Sequence, residues 1–191
     1  MKLLRGTIRR IILESKMHTV DDLPVGVVVA IKPKTNGYSI YYADANNVQR
    51  EPSYPKGYLE IDKPNSDTGP CDNAYLLNQL KADNRWGPLL CDIAIEFATK
   101  IANGLTLDRY YVSEEAESMW SYYIENKRDG VKAYQLDDLY NTLTPKDTDN
   151  CEHDNVATDL TGDTDFESPL TKRLTKEPMT IDQLGDELII L

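Results

Sequence analysis

The sequence predicts an α/β (α+β) fold, a central mixed sheet flanked by helices. Three observations carry that expectation. Residues 25–62 hold three runs with strand-type composition or alternation, and Asn36-Gly37 between the first two is a hairpin signal. Two later segments, 88–102 and 114–126, repeat apolar residues at helical spacing. The chain has 191 residues, 40% of them hydrophobic and 28% charged, enough to bury a core around such a sheet.

Residues 2–16 place Leu4, Ile8, Ile11, Ile12 and Ser15 on one side of a helix flanked by Arg5, Arg9 and Arg10. Either this helix docks on the body with its arginines in water, or it is a recognition tag. "VGVVVAIK" then gives a strand at 25–32, Lys34-Thr35-Asn36-Gly37 a turn, and residues 38–43 a second strand. A loop with Pro52 and Pro55 leads to "GYLEID", a third strand at 57–62. Its alternation puts Tyr58, Glu60 and Asp62 on one face and Leu59 and Ile61 on the other. After a loop at 63–72, "AYLLNQL" (74–80) suits a helix or a strand, and the corner that follows it favours a strand.

That corner is Trp86-Gly87-Pro88. It opens a helix over 88–102 whose apolar positions are Leu89, Leu90, Ile93, Ala94, Phe97, Ala98 and Ile101. Pro88 suits the first helical turn and Asn103-Gly104 the stop. "LTLDRYYV" (105–112) reads as a strand or extended segment. Ser113 is a good N-cap for a helix to about 126, with Glu114 and Glu115 at its positive end and Ala116, Met119, Trp120 and Tyr123 facing inward. From 135 onward the chain is polar and acidic. The exceptions are "SPLTKRLTKEP", a basic break, and residues 179–191, where Thr180 caps a short helix and "LIIL" closes as a strand. The organisation expected is a basic helix or tag at 1–19, a domain at 20–135, and an acidic extension at 136–191.

The net charge is −11, but residues 1–16 carry five basic groups against one acid, and residues 135–167 ten acids against one lysine. The overall balance argues against direct nucleic-acid binding, whose affinity comes from Lys and Arg. No apolar run approaches the roughly 20 residues of a membrane helix, and the arginine-interrupted start does not read as a signal peptide. Cys71, Cys91 and Cys151 are odd in number and far apart, as expected in a reducing cytoplasm. "DTDNCEHDN" (147–155) sets Cys151 and His153 among acids without the paired spacing of a zinc site or the glycine of a calcium loop, so no metal site is assigned. Twelve tyrosines against two phenylalanines favour a surface that meets another protein.

Strand, hairpin, strand, then strand–corner–helix–strand–helix resembles the order of the GNAT N-acetyltransferase family. "RWGPLLCDIAIEFA" stands where that family's glycine-bearing loop opens a helix whose amides take the pyrophosphate of acetyl-CoA. "VSEEAESMWSYY" resembles the family's next block. From about Leu80 to Asp138, with "NTLTPKDTDNC", "SPLTKRLTK" and "TIDQLGDELII" downstream, the chain is similar to GNAT-like proteins encoded by bacteriophages. The resemblance implies a GNAT-like sheet, acetyl-CoA as cofactor, and acyl transfer to an amine. It assigns Arg85, Trp86, Gly87, Leu89 and Leu90 to the cofactor, although Pro88 removes one amide donor. It makes Glu60 the general base. The tyrosine that protonates the leaving thiolate falls at Trp120, four residues after Ala116, so Tyr122 or Tyr123 must substitute. It also implies a host bacterial cytoplasm, association with the virion, and a phage or host protein as partner. Two alternatives stay open. One is a catalytically inactive GNAT-like protein that is virion-associated or host-interacting. The other uses the acidic segment as a nucleic-acid mimic against a basic groove.

Overall fold

The computed structural model describes residues 17–49, 56–63, 73–83, 85–107, 112–125, 128–136 and 168–191. The expected helix at 2–16, the 147–155 cluster and Cys151 therefore lie outside the described residues. The runs expected as strands are strands: β1 (Val27–Lys34), β2 (Gly37–Asp44), β3 (Gly57–Asp62) and β4 (Tyr75–Ala82). They pair in sequence as an antiparallel meander. The helix α1 (Gly87–Ile101) then carries the chain to β5 (Leu105–Leu107), parallel to β4. Next come α2 (Glu114–Ile124), where Ser113 Oγ accepts the Ala116 amide at 3.2 Å, and β6 (Val131–Gln135).

Residues 168–191 belong to the same sheet. β7 (Lys172–Lys176) slots between β5 and β6, α3 (Met179–Leu184) crosses α1, and β8 (Leu188–Ile190) pairs parallel with β1 at the far edge. The result is an eight-stranded mixed sheet in the order β6-β7-β5-β4-β3-β2-β1-β8. Thr180 does not cap α3. Pro178 holds the N-cap position, and the amides of Thr180 and Ile181 are taken instead by a carboxylate from another helix, Glu96 on α1.

Both long helices lie on one face. The crossovers β4–α1–β5 and β5–α2–β6 each join parallel strands and move in the same direction across the sheet, so the right-handed rule stacks their helices together. Cys91 on α1 accordingly meets Met119 on α2 at 3.4 Å between sulfurs. Every residue of α1 from Leu89 to Ala98 is buried, as a helix covered on all sides requires. Val27, Val29, Ile31, Ile40, Leu59 and Ile61 rise from the sheet to meet it. A smaller cluster of Val28, Ala30, Tyr41, Ala43 and Val48 lies on the opposite face. No helix among the described residues is long and apolar enough to cross a membrane.

The hairpin turn falls at Lys34–Gly37, as expected. Lys34 pairs with Gly37, so the two-residue loop is Thr35-Asn36, and Asn36 does not take the left-handed conformation that an Asn-Gly turn of type I′ needs. Gly37 belongs to β2 instead, with φ +149°.

Candidate functional site

The carboxyl end of β4 combines three features. First, among the described residues β4 and β5 pair over Tyr75–Leu77 against Leu105–Leu107, and β4 runs on to Ala82 and the α1 corner. Second, opposite β3 the register passes from Ile61↔Leu77 to Glu60↔Gln79, so Asn78 is the extra residue of a β-bulge. The Tyr75 amide bonds Gly104 on the β5 side, and the Asp83 amide bonds Lys56 at the start of β3. Counting alternately from those two anchors, Leu77 and Asn78 both turn their main chain towards β5, followed by Leu80 and Ala82. The main-chain groups of Asn78, Leu80 and Ala82 on that side meet no ladder partner among the described residues. Third, α1 begins within five residues, and its first amides lack partners in their own helix.

The residues assigned to the cofactor occupy this corner unequally. Arg85 is exposed and sits at φ +76°, a left-handed conformation that a side chain disfavours, so its exposed cation is held there against local strain. Trp86 is 6% exposed, which makes it part of the core rather than a free platform. The His18 ring stacks on it at 4.1 Å, Tyr42 meets it edge-on at 5.2 Å, and Lys56 Nζ lies 4.5 Å from its centroid. Tyr42 Oη donates to the Trp86 carbonyl at 2.9 Å, and the His18 amide donates to the Arg85 carbonyl at 3.1 Å. Leu89 and Leu90 have buried side chains, leaving only their backbone to meet a ligand. At Gly87 a Cβ would find ordinary contacts of 3.8 Å with Ala82 and Leu80, so nothing in the fold itself requires glycine there.

The assigned base and acid are not brought together. Glu60 shares its face of β3 with Tyr58, which packs on the smaller cluster away from α1. There Lys34 Nζ lies 2.7 Å from Glu60 and 2.8 Å from Asp62, and Ser39 Oγ donates to Glu60 at 3.3 Å. Tyr123 is on the α1 side, 1% exposed, with its hydroxyl 3.0 Å from the Pro88 carbonyl oxygen and 3.2 Å from Asp92 Oδ1. Tyr122 is half-buried, edge-on to Tyr123 at 6.1 Å. Trp120 is fully buried, and its indole nitrogen has no hydrogen-bond partner among the described residues.

Beside Tyr123 lies a charge cluster that sequence reasoning missed. Asp92 and Glu96, one turn apart on α1, are 2% and 1% exposed. Arg128 grips Asp92 through Nε at 2.8 Å and through Nη2. Lys176 Nζ lies 3.0 Å from Asp92, 2.9 Å from Glu96 and 3.0 Å from Thr180 Oγ1, so its three protons are all placed. Two acids facing two bases cancel formally, and each carboxylate has partners, as buried charges require. The available signal was two carboxylates four residues apart inside an otherwise apolar helix.

Burial also holds three weak acids protonated. The Cys91 thiol and the Tyr42 and Tyr123 hydroxyls are all pushed up, first by burial and then by neighbouring groups, the Asp92 carboxylate for Cys91 and Tyr123 and Cys91 followed by Asp92 for Tyr42. A raised folded-state pKa gives stability that is complete below the unfolded value and is lost as pH climbs past it. The urea midpoint should therefore hold steady to about pH 8.5 and then fall, by about 1.4 kcal/mol per pH unit for each group once fully titrating in the unfolded chain. Denaturation series between pH 8 and 11 would test this, and a flat profile would contradict the burial of these groups.

No family model, curated protein or solved structure matches the chain.

Proposed function

We propose that the chain is a GNAT-like protein that takes an acyl-CoA along β4, with its phosphates at the α1 corner. The observation that carries this reading is the Asn78 bulge of β4 lying just before the unpaired first amides of α1. A bulge re-aims main-chain groups out of the regular ladder, and an extended chain bearing amides is the kind of ligand that bonds a strand's main chain. A pantetheine arm is such a chain. The amides of Gly87 and Leu89 and the positive end of α1 suit the pyrophosphate beyond it, with the Arg85 guanidinium as a cation in reach. Bound there, the cofactor would supply an activated acyl group for an amine.

The acid–base pair drawn from the resemblance is less well supported. Glu60 and Tyr123 stand on opposite sides of the sheet, and the Tyr123 proton is committed to Pro88 and Asp92. Tyr122 is the tyrosine left to test for protonating a departing thiolate. The covered ring of Trp86 favours a second reading, a GNAT-like protein without acyl transfer that serves as a virion-associated or host-interacting partner.

Gly87→Ala separates the two. The fold has room for the methyl group and α1 gains a better helix former, so stability should be unchanged or rise by up to about 1 kcal/mol. If phosphates approach the Gly87 backbone, the same change should weaken acetyl-CoA at least tenfold in a calorimetric titration. Absence of heat with the parent chain at millimolar acetyl-CoA would discard the acyl-CoA reading in favour of the second.

A further inference from the structure

We propose that Met17–Leu23 is a strap that closes over the β4–α1 corner as one unit and must lift before the corner takes its ligand; the ligand half of this rests on the acyl-CoA reading. Internally the strap is well bonded. Thr19 N donates to Asp22 Oδ2 at 2.8 Å and Thr19 Oγ1 to the same oxygen at 3.2 Å. Asp22 N returns to the Thr19 carbonyl at 3.2 Å, and Leu23 N to the Val20 carbonyl at 3.0 Å.

Its hold on the body is lighter. Among the described residues it consists of the His18 amide on the Arg85 carbonyl, the His18 ring on Trp86, a 3.9 Å contact of Arg128 Nη1 with Met17 Sδ, half-buried Val20 and Leu23 against the core, and the Val20–Asp22 turn against α3. None of the three residues of its single helical turn, Val20–Asp22, is buried. Segments with few buried contacts open locally at low cost.

A pivot is built in. Val25 stands fully exposed, and Gly26 takes φ +82° with open space where a Cβ would be. The body side of the pivot is fixed, since Ala45 N bonds the Gly26 carbonyl at 2.9 Å, and a single bond, Val27 N to the Pro24 carbonyl at 2.9 Å, closes the turn across it. Trp86 belongs to the fixed side through its own amide on Asp83 and the Tyr42 hydroxyl on its carbonyl. The parting surface therefore runs between the His18 and Trp86 rings. With the strap down, the Trp86 ring is covered while Arg85 stays exposed; with it raised, the ring faces solvent beside Arg85 and the first amides of α1.

The test is amide hydrogen exchange on the full chain with and without acetyl-CoA, paired with acrylamide quenching of Trp86 in a Trp120→Phe background. The His18, Asp22 and Leu23 amides should exchange at least tenfold faster than those of β2 and β3 while Ala45 stays protected. Saturating acetyl-CoA should speed them further, and His18→Ala should raise Trp86 quenching severalfold. Strap amides that exchange only together with β2 and β3 would overturn the proposal. Acetyl-CoA binding that leaves strap exchange unchanged would overturn the gate and leave the acyl-CoA reading standing. Local strap opening with no acetyl-CoA binding to either the parent or His18→Ala would end the acyl-CoA reading and the gate with it.

Discussion

Glu96→Ala is expected to lower the unfolding free energy by about 3–5 kcal/mol, the range for breaking a buried ion pair from one side. The size follows from what the carboxylate does. One oxygen accepts Lys176 Nζ and the Thr180 amide, each at 2.9 Å, and the other accepts the Ile181 amide at 2.8 Å. Truncation leaves an ammonium that is 5% exposed with half its countercharge, and two amides of α3 without their acceptor. The C-terminal segment depends on this one side chain, because α3 is anchored there and β8 pairs with only three residues of β1. Glu96→Gln keeps the shape and one acceptor oxygen and should lose roughly half as much. Removing both charges, as in Glu96→Leu with Lys176→Met, should recover much of the deficit, since an apolar pair of similar volume often matches a buried ion pair. Urea unfolding of the parent and the three variants measures each loss, and adding Glu96→Leu and Lys176→Met alone completes the cycle that gives the coupling. A loss below about 1 kcal/mol for Glu96→Ala would mean that water reaches the cluster.

How legible the fold was depended on how local its cause was. The strands at β1, β2 and β3 and the helix α1 follow from alternation and from helical apolar spacing, both short-range properties, and they fall within about two residues of expectation. β7 was illegible because "KRLTK" carries three cations in five residues and has no strand signature. What makes it a strand is its position between β5 and β6, with Lys176 drawn inward by Asp92 and Glu96 some eighty residues earlier. Residues 168–191 return to the sheet through β7 and β8 for the same non-local reason. At the site, the corner could be read from Pro88 and the helix start, whereas its covering by His18 could not, since no local pattern links residue 18 to residue 86. The reading of Tyr123 as a core residue followed from spacing with Ala116 and Trp120, but its hydroxyl partners needed the packing of α2 on α1.

Gly37 shows a correct local signal with a different physical cause, and it predicts the second large effect. Asn36-Gly37 is a hairpin signal in the sequence because glycine readily supplies a left-handed turn residue. In the structure Gly37 pairs with Asp62 across β2–β3, and an added Cβ would stand 2.0 Å from the Ile61 carbonyl oxygen and 2.8 Å from the Asp62 Cα. Both are backbone atoms in a paired strand, so neither can swing aside as a side chain does. The φ of +149° adds strain for any L residue. Gly37→Ala should therefore cost about 3 kcal/mol or more, combining a rare backbone conformation with overpacking. Asn36→Ala, in the loop proper, should change stability by less than about 1 kcal/mol. A turn-based cause predicts the opposite ordering or near equality, because a type I′ turn needs the left-handed conformation at both positions. Thermal unfolding of the two variants side by side decides between them. The Gly37 variant should also loosen β3, which carries Leu59 and Ile61 against α1 and pairs with the bulged stretch of β4. Any loss of acetyl-CoA binding in that variant should scale with its lost stability, unlike Gly87→Ala, where binding should fall while the fold holds.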